Sequence, residues 1–207
     1  LNDKETGESI ADVAGPLGKP SEIEQYGTAV VVGGGGGTAI AYPVVAALRE
    51  AGPEGIALVG GRSREYVLLE DELAATGAEV VACTDDGSHG RPGFVTEALQ
   101  EIIDTRQVDV VFAAGPVPMM RAVAEVTRSA EIPTIASLNP IMVDGTGMCG
   151  GCRVDVGGET LFACVDGPEF DAHLVDFALL ARRNLAYADI ELQQLEALEA
   201  SCKAETS

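Results

Sequence analysis

The apolar residues of this chain alternate between short β-branched runs and longer stretches with helical spacing. Short apolar runs are typical of buried parallel strands, and apolar residues three or four positions apart are typical of helices packed on them. Five strands are predicted, at Thr28–Val32, Ile56–Val59, Glu79–Cys83, Val108–Ala113 and Thr134–Ser137. Four helices are predicted, at Thr38–Ala51, Arg64–Ala75, Phe94–Asp104 and Pro118–Ala130. This order predicts an α/β fold with an open five-stranded parallel sheet, covered by helices on both faces.

The alternation stops after Ser137, and the rest of the chain has a different character. Residues 138–172 are rich in glycine and cysteine with little periodicity, and we interpret them as a small domain of their own. Within residues 173–207, an amphipathic helix is predicted from about Val175 to Ala200. Residues 1–27 are polar, contain a Pro/Gly stretch and form no periodic element. They are interpreted as a linker or as the tail of a preceding segment, followed by a domain formed by residues 28–137.

Charge and cysteine content narrow the possible functions. The 207 residues carry a net charge of −20, from 33 acidic and 13 basic side chains. Binding to nucleic acid or to an anionic membrane surface needs clusters of Lys and Arg, so neither is expected. No apolar run approaches the ~20 residues of a membrane span. The five cysteines, three of them clustered, indicate a metal site in a reducing compartment, and we expect a cytoplasmic protein.

Five consecutive glycines follow the first predicted strand. Gly34, Gly36 and Ala39 fit the pattern G-x-G-x-x-A between a strand and a helix, which is typical of dinucleotide binding. Backbone without side chains lets a pyrophosphate approach the helix N-terminus, although a merely flexible turn would also be glycine-rich. The candidate nucleotide contacts in this loop are Gly34, Gly35, Gly36, Gly37, Thr38 and Ala39.

Three further loops lie at the predicted carboxyl edge of the sheet, where ligands of such folds bind. Arg62 stands where an acidic residue would hold a ribose hydroxyl; it is compatible with a 2′-phosphate or with simple solvation, so NAD and NADP both stay open. Asp86 lies in the loop after strand three. The loop after strand four offers Gly115, Pro116, Met119 and Met120. Each loop taken singly is equally compatible with an ordinary capped turn.

The strongest motif is Asp144-x4-Cys149-x2-Cys152, followed by Cys164. It matches the plant-type [2Fe–2S] spacing C-x4-C-x2-C…C with Asp in the first position. Structural zinc is the main competitor, but His89 and His173, the only histidines, lack ligand spacing. Asp144 is interpreted as a ligand, with loop capping as the alternative.

Two further cysteines stand outside this motif. Cys83 is interpreted as a packed thiol and Cys202 as a surface thiol.

Taken together, these segments resemble the flavin/iron–sulfur subunits related to the electron-transfer subunit of dihydroorotate dehydrogenase B. The segments that carry the resemblance are the glycine loop and residues 84–88, 115–120, 137–153 and 162–171. The resemblance implies a ferredoxin reductase-like arrangement: a β-barrel that binds FAD, a five-stranded NAD(P)-binding domain and a small C-terminal [2Fe–2S] domain. Residues 11–18 look like the last strand and exit of the barrel, and the rest of the barrel is not found in this sequence.

The resemblance also implies a function. Electrons would pass between NAD(P)H, FAD and a [2Fe–2S] cluster held by Asp144, Cys149, Cys152 and Cys164, and on to a larger flavin/iron–sulfur subunit, with ferredoxin as a further candidate partner. No catalytic side chain is expected, because the cofactors carry the chemistry. The Asp in the first ligand position favours the ferredoxin:NADP oxidoreductase branch of the family. A dihydroorotate dehydrogenase subunit and a non-enzymatic cluster-carrying scaffold remain alternatives, the latter because activity would depend on the barrel.

Overall fold

The structure, a computed structural model, describes residues 7–10, 12–52 and 54–205. Its strands are β1 (Thr28–Gly34), β2 (Glu54–Gly61), β3 (Glu79–Thr84), β4 (Arg91–Pro92), β5 (Val110–Ala114), β6 (Thr134–Ser137), β7 (Arg153–Val156), β8 (Glu159–Phe162) and β9 (Glu169–Asp171). Its helices are α1 (Thr38–Ala51), α2 (Glu70–Ala75), α3 (Val95–Thr105), α4 (Val117–Ser129), α5 (Phe177–Asn184) and α6 (Ala188–Glu205). Two short 3₁₀ turns cover Gly35–Gly37 and Arg64–Tyr66.

The five predicted strands are confirmed as neighbours in one sheet, with the order β4-β3-β2-β1-β5-β6-β9. All adjacent pairs from β4 to β6 are parallel, and β9 is antiparallel to β6. The sheet therefore has seven strands instead of five. Strands as short as β4 and β9 have too few residues to show an alternating pattern in the sequence. They are extended only because they pair with a neighbouring strand.

Alternating residues of the central strands contribute to two apolar layers, one on each face of the sheet. Val30 and Val32 of β1 face the layer that contains α3 and α4, whereas Ala29 and Val31 face the layer that contains α1 and α2. Leu58 of β2 is fully buried in the first layer. Both faces of the sheet are thus covered, as the near-continuous apolar runs predict for parallel strands.

The helix predicted over Arg64–Ala75 is wrong in its first half. Only residues 70–75 are α-helical, residues 64–66 form a short 3₁₀ turn, and Leu69 just before the helix has a left-handed backbone with φ of 57°. The preceding backbone pairs with the next loop instead: the Arg64 amide donates to Ser88 Oγ at 2.9 Å, and the Asp86 amide donates to the Arg62 carbonyl at 3.2 Å. Hydrogen bonds between loops replace the helical ones, and no local pattern indicates this.

The single C-terminal helix predicted over 175–200 is two helices, α5 and α6, separated near Leu185. Leu180 of α5 is buried against the rest of the core, whereas Ile190 and Leu195 of α6 are more than half exposed. The two helices differ in burial although their leucine spacing is similar. The interpretation of Cys202 lies outside the side chains that the structure describes.

Residues 138–172 contain more regular structure than their composition indicates. β7 and β8 form a hairpin, and β9 joins the main sheet through β6. The described part of residues 7–26 has neither helix nor strand and lies against this region: the Lys19 amide donates to the Gly167 carbonyl at 2.6 Å, and Ser21 Oγ donates to Glu169 Oε1 at 2.7 Å. None of the helices in the described ranges is long and apolar enough to cross a membrane.

Candidate cofactor sites

A cavity of about 620 Å³ opens at the carboxyl ends of β1, β2, β3 and β5. The strand order reverses between β1 and β5, and ligands of open α/β sheets bind at such a point. Five of the predicted nucleotide contacts line this cavity, namely Gly34, Gly35, Arg62, Pro116 and Met119. The volume is within the range of small-molecule and cofactor sites.

The glycines of the loop have different physical roles. A side chain on Gly34 would overlap Met119 Sδ, and one on Gly37 would overlap the Ala114 carbonyl, so these two glycines permit close packing. Gly35 has a φ of 52°, which favours glycine. A Cβ on Gly36 would meet nothing within 4 Å. The open space beside Gly36 and the N-terminus of α1 are what an approaching pyrophosphate requires.

Several predicted contacts lie away from the cavity lining. Thr38 and Met120 are fully buried in the protein interior, so they pack instead of presenting a surface. Asp86 is exposed and accepts from the Ser88 amide at 2.9 Å; hydrogen bonds from Ser88 lower the pKa of this carboxyl. Four other predicted residues, Gly36, Gly37, Ala39 and Gly115, are likewise absent from the lining. Gly36 directly follows Gly35 and Gly115 directly precedes Pro116, and both of these neighbours belong to the lining.

Sequence reasoning missed several residues that line the cavity. Asp85, the first residue after β3, lies in the lining together with Arg62, so an acidic and a basic side chain share this wall. Tyr66 and Phe94 add two aromatic side chains that are 51% and 60% exposed. Cys83 also lines the cavity, and burial raises the pKa of its thiol. The position of Asp85 at a strand end was a usable signal. Tyr66 ends a 3₁₀ turn and Phe94 directly precedes α3, and no sequence pattern indicates that either residue lines a cavity.

His89 connects the two loops that form the cavity wall. Its Nε2 lies 2.6 Å from Glu70 Oε2, and its Nδ1 lies 3.3 Å from Arg64 Nη1. Because the guanidinium only donates, Nδ1 accepts and Nε2 carries the proton in the neutral ring. His89 is therefore engaged in a structural link, which agrees with its lack of ligand spacing.

The second candidate site lies in the loop after β6. Cys152 and Cys164 are buried, and their sulfurs are 3.1 Å apart without a disulfide. Cys149 is exposed, and its sulfur accepts from the Gly151 amide at 3.3 Å. The S–H···S contact between Cys164 and Cys152 is the largest cause of the raised pKa of Cys164, followed by burial.

Asp144 lies at the start of this loop and is tied to it. Its Oδ1 accepts from the Thr146 amide and its Oδ2 from the Cys149 amide, both at 2.7 Å. The amide of Thr146 is the largest cause of the lowered pKa of Asp144. The hydrogen bond from the Cys149 amide places the carboxylate beside the cysteine turn, and the negative charge of Asp144 adds to the raised pKa of Cys164.

Three of the predicted ligands, Asp144, Cys149 and Cys152, thus share the loop after β6. Cys164 follows β8 and packs beside that loop through Cys152, and the four side chains do not form a closed cage. Within the described residues, no three such side chains are close enough to hold a metal ion as they stand. The donors nevertheless fit an iron–sulfur cluster, since three thiolates and one carboxylate supply four anionic ligands. Left-handed glycines at 145, 147 and 150 let the backbone curl around the sulfurs.

Helix α5 braces this loop through two side chains that sequence reasoning missed. Arg183 Nη2 donates to the Gly151 carbonyl and Asn184 Nδ2 donates to the Asn139 carbonyl, both at 3.1 Å. Asn139 also contacts the part of the chain that contains β1 to β6, since its Nδ2 lies 3.5 Å from the Gly115 carbonyl. The cluster loop and the cavity edge are therefore joined through residues 139 and 115.

The chain is similar to known proteins both in its cluster-binding region and over most of its length. Residues 139–176 match the model of the iron–sulfur cluster binding domain of dihydroorotate dehydrogenase B. A dihydroorotate dehydrogenase B (NAD(+)) electron transfer subunit homolog from Thermotoga maritima is 47% identical over 191 residues, covering 92% of this chain and 67% of the relative. The corresponding electron transfer subunit of Bacillus caldolyticus is 39% identical over 83% of this chain and 67% of its own length.

A solved structure extends the likeness to three dimensions. NADH-dependent reduced ferredoxin–NADP oxidoreductase, described for flavin-based electron bifurcation, is 44% identical with a TM-score of 0.86. The alignment covers 94% of this chain and 70% of that one. The chain spans about two thirds of the length of the relatives it matches.

Proposed function

This chain belongs to the family of the electron-transfer subunits of dihydroorotate dehydrogenase B and their homologues, and on that premise we propose that it relays electrons between NAD(P)H, FAD and a [2Fe–2S] cluster. The observation that carries the proposal is that Cys164, which follows β8, lies 3.1 Å from Cys152 in the loop that also holds Asp144 and Cys149. That loop follows β6 and contacts Gly115 at the edge of a dinucleotide-sized cavity.

The nucleotide would bind along the carboxyl edge of the sheet. Amides of the glycine loop and the N-terminus of α1 favour a pyrophosphate beside Gly36. Arg62 and Asp85 would meet the adenosine ribose, and the nicotinamide would lie near Gly115–Met120. FAD, when bound, supplies the conversion between a transferred hydride and single electrons. The side chains of this chain bind and orient; none has to donate or remove a proton.

The cluster loop is suited to pass electrons outward. Cys149 and Asp144 are exposed, whereas Cys152 and Cys164 belong to the apolar core, so the site has one side toward solvent and one toward the protein. We propose that the exposed side contacts a larger flavin/iron–sulfur subunit, with ferredoxin as a further candidate acceptor. A cytoplasmic location fits, because free thiols persist in a reducing compartment.

The first experiment is EPR spectroscopy of the anaerobically purified chain before and after dithionite, with iron, zinc and sulfide counted on the same sample. We expect a rhombic S = 1/2 signal only after reduction, with iron matching sulfide. Stoichiometric zinc without a reducible signal in material never exposed to air would reject the electron-transfer proposal. A nucleotide-binding scaffold would then remain.

A second candidate function is electron transfer from dihydroorotate oxidation. The match of residues 139–176 to the dihydroorotate dehydrogenase B domain favours it, whereas Asp144 in the first ligand position favours the ferredoxin:NADP oxidoreductase type. Anaerobic mixing of the partner-bound protein with dihydroorotate or with NADPH, followed by the EPR signal of the cluster, separates the two. Rapid cluster reduction by dihydroorotate alone would select the second candidate.

A further inference from the structure

A guanidinium lies against the turn that contains two of the proposed cluster ligands. Arg183, in the last turn of α5, donates from Nη2 to the Gly151 carbonyl at 3.1 Å, between Cys149 and Cys152. It reaches this turn across 32 residues of sequence. Its neighbour Arg182 is exposed to solvent instead. The side chain of Arg183 is thus directed to the cluster loop by the fold and not by local chain geometry.

The same guanidinium has an unmet hydrogen-bonding requirement. Arg183 Nε is buried and has no hydrogen-bond partner among the residues that the structure describes. A buried N–H without an acceptor costs free energy, and more so when the group is charged. An anionic group in the loop would offset this free-energy cost, because it would attract the positively charged guanidinium of Arg183. The four proposed ligands supply such negative charge.

A second arginine also lies near this turn. A Cβ built on Gly150 would lie 3.3 Å from Arg153 Nη1, so this guanidinium is beside the same turn. Two positive charges therefore lie close to the Cys149–Cys152 segment of a chain whose net charge is −20. Arginine stays protonated at any working pH, so these charges are permanent.

We propose that Arg183 is a positioning residue that holds the Cys149–Cys152 turn and raises the reduction potential of the cluster. The inference rests on the proposed function, because it requires a [2Fe–2S] cluster on these four ligands. With four anionic ligands the oxidised cluster is already negative, and reduction adds a further electron. A nearby positive charge favours the reduced form, and net charge and hydrogen bonding are established determinants of cluster potential.

The test is an EPR-monitored redox titration of the full chain with its cluster, comparing wild type with Arg183→Gln. Arg182→Gln is the matched control, since it removes the same charge one residue away on the solvent side. We expect Arg183→Gln to increase the oxidised-to-reduced ratio at a fixed potential about tenfold, equal to a midpoint about 59 mV more negative for a one-electron couple. The shift in Arg182→Gln should be less than half as large.

Equal shifts in the two variants, or no shift in Arg183→Gln, would overturn the inference. If Arg183→Gln loses the cluster, Arg183→Lys decides, because it keeps the charge. Retained iron and a near wild-type potential in Arg183→Lys support the inference, whereas loss of iron from both Arg183 variants overturns it. Failure of the proposed function looks different: the wild-type chain itself would then show no reducible signal.

Discussion

The nucleotide-binding half and the cluster loop are stabilised in different ways. The central strands bury alternating valines and leucines in two layers, and Val30, Val32 and Leu58 have no exposed surface. In the cluster loop, Val143 and Met148 are 75% and 86% exposed, and the bonds that fix the loop come from Asp144, Arg183 and Asn184. Apolar burial specifies the first region without a ligand, whereas the second depends on polar contacts and on the group it binds.

The two regions also meet in one apolar cluster. Cys152 and Cys164 belong to the apolar cluster that lies under β1 and β5, although their loop is otherwise polar. Two of the four proposed ligands are therefore fixed by the core, and the other two are exposed. We infer that cluster binding orders the exposed half of the loop more than the buried half.

The largest effect is expected from removing a buried ligand. Cys164→Ser replaces a thiolate by a hydroxyl that is a poor ligand for iron, so the purified protein should lose most of its iron and its EPR signal. The nucleotide-binding half should keep its affinity for NAD(P)H. Iron analysis and a nucleotide titration of the same sample measure both. Cys83→Ala, which removes a thiol outside the proposed ligands, is the control and should keep its iron. Wild-type iron content in Cys164→Ser would contradict the ligand assignment.

A substitution in the sheet should lower the stability of the fold, which a substitution at an exposed position of the cluster loop should leave nearly unchanged. Leu58→Ala leaves a cavity in the first apolar layer and should lower the free energy of unfolding by about 2–5 kcal/mol. Met148→Ala, at an exposed position of the cluster loop, should change it by less than about 0.5 kcal/mol. Urea denaturation of the apoprotein gives both values. Similar losses in the two variants would show that the loop contributes to the fold as much as the sheet.

Two neighbouring glycines separate packing from binding. Gly37→Ala places a methyl group on the Ala114 carbonyl and should destabilise the protein by about 1–3 kcal/mol. Gly36→Ala has open space and should leave stability nearly unchanged, but should weaken nucleotide binding about tenfold, or about 1.4 kcal/mol. Thermal denaturation and nucleotide titration test the pair. Unchanged affinity in Gly36→Ala would argue against pyrophosphate binding at this position.

The smallest effect is a pH dependence at the contact between the N-terminal segment and β9. Burial raises the pKa of Glu169, so the folded protein binds this proton more tightly than the unfolded chain does. The stability that protonated Glu169 contributes to the fold is fully present below the ordinary glutamate pKa of about 4.3. It is lost as the pH rises through the raised pKa of Glu169.

Glu169→Gln removes this loss and should be more stable than wild type at neutral pH. The amide oxygen can still accept from Ser21 Oγ. The difference should shrink as the pH falls through the raised pKa toward 4.3, which unfolding curves at several pH values will show. A difference that does not change with pH would mean that the carboxyl group is not the cause.

The sequence by itself determined the sheet, because period and composition are local properties. Runs such as Thr28–Val32 and Val108–Ala113 are recognisable as buried strands, and their order places the glycine loop and the loop after β5 at one edge. The spacing of Asp144, Cys149 and Cys152 likewise predicts a cluster loop without knowledge of the fold.

Only the tertiary structure decided what depends on contacts between distant segments. It broke the predicted helix at Leu69, because the loop after β2 bonds to the loop after β3. It added β9 to the sheet, brought Asp85 beside Arg62 along the cavity wall, and directed Arg183 but not Arg182 to the Gly151 carbonyl. Local patterns cannot indicate such pairings, since their energy comes from partners that are remote in sequence.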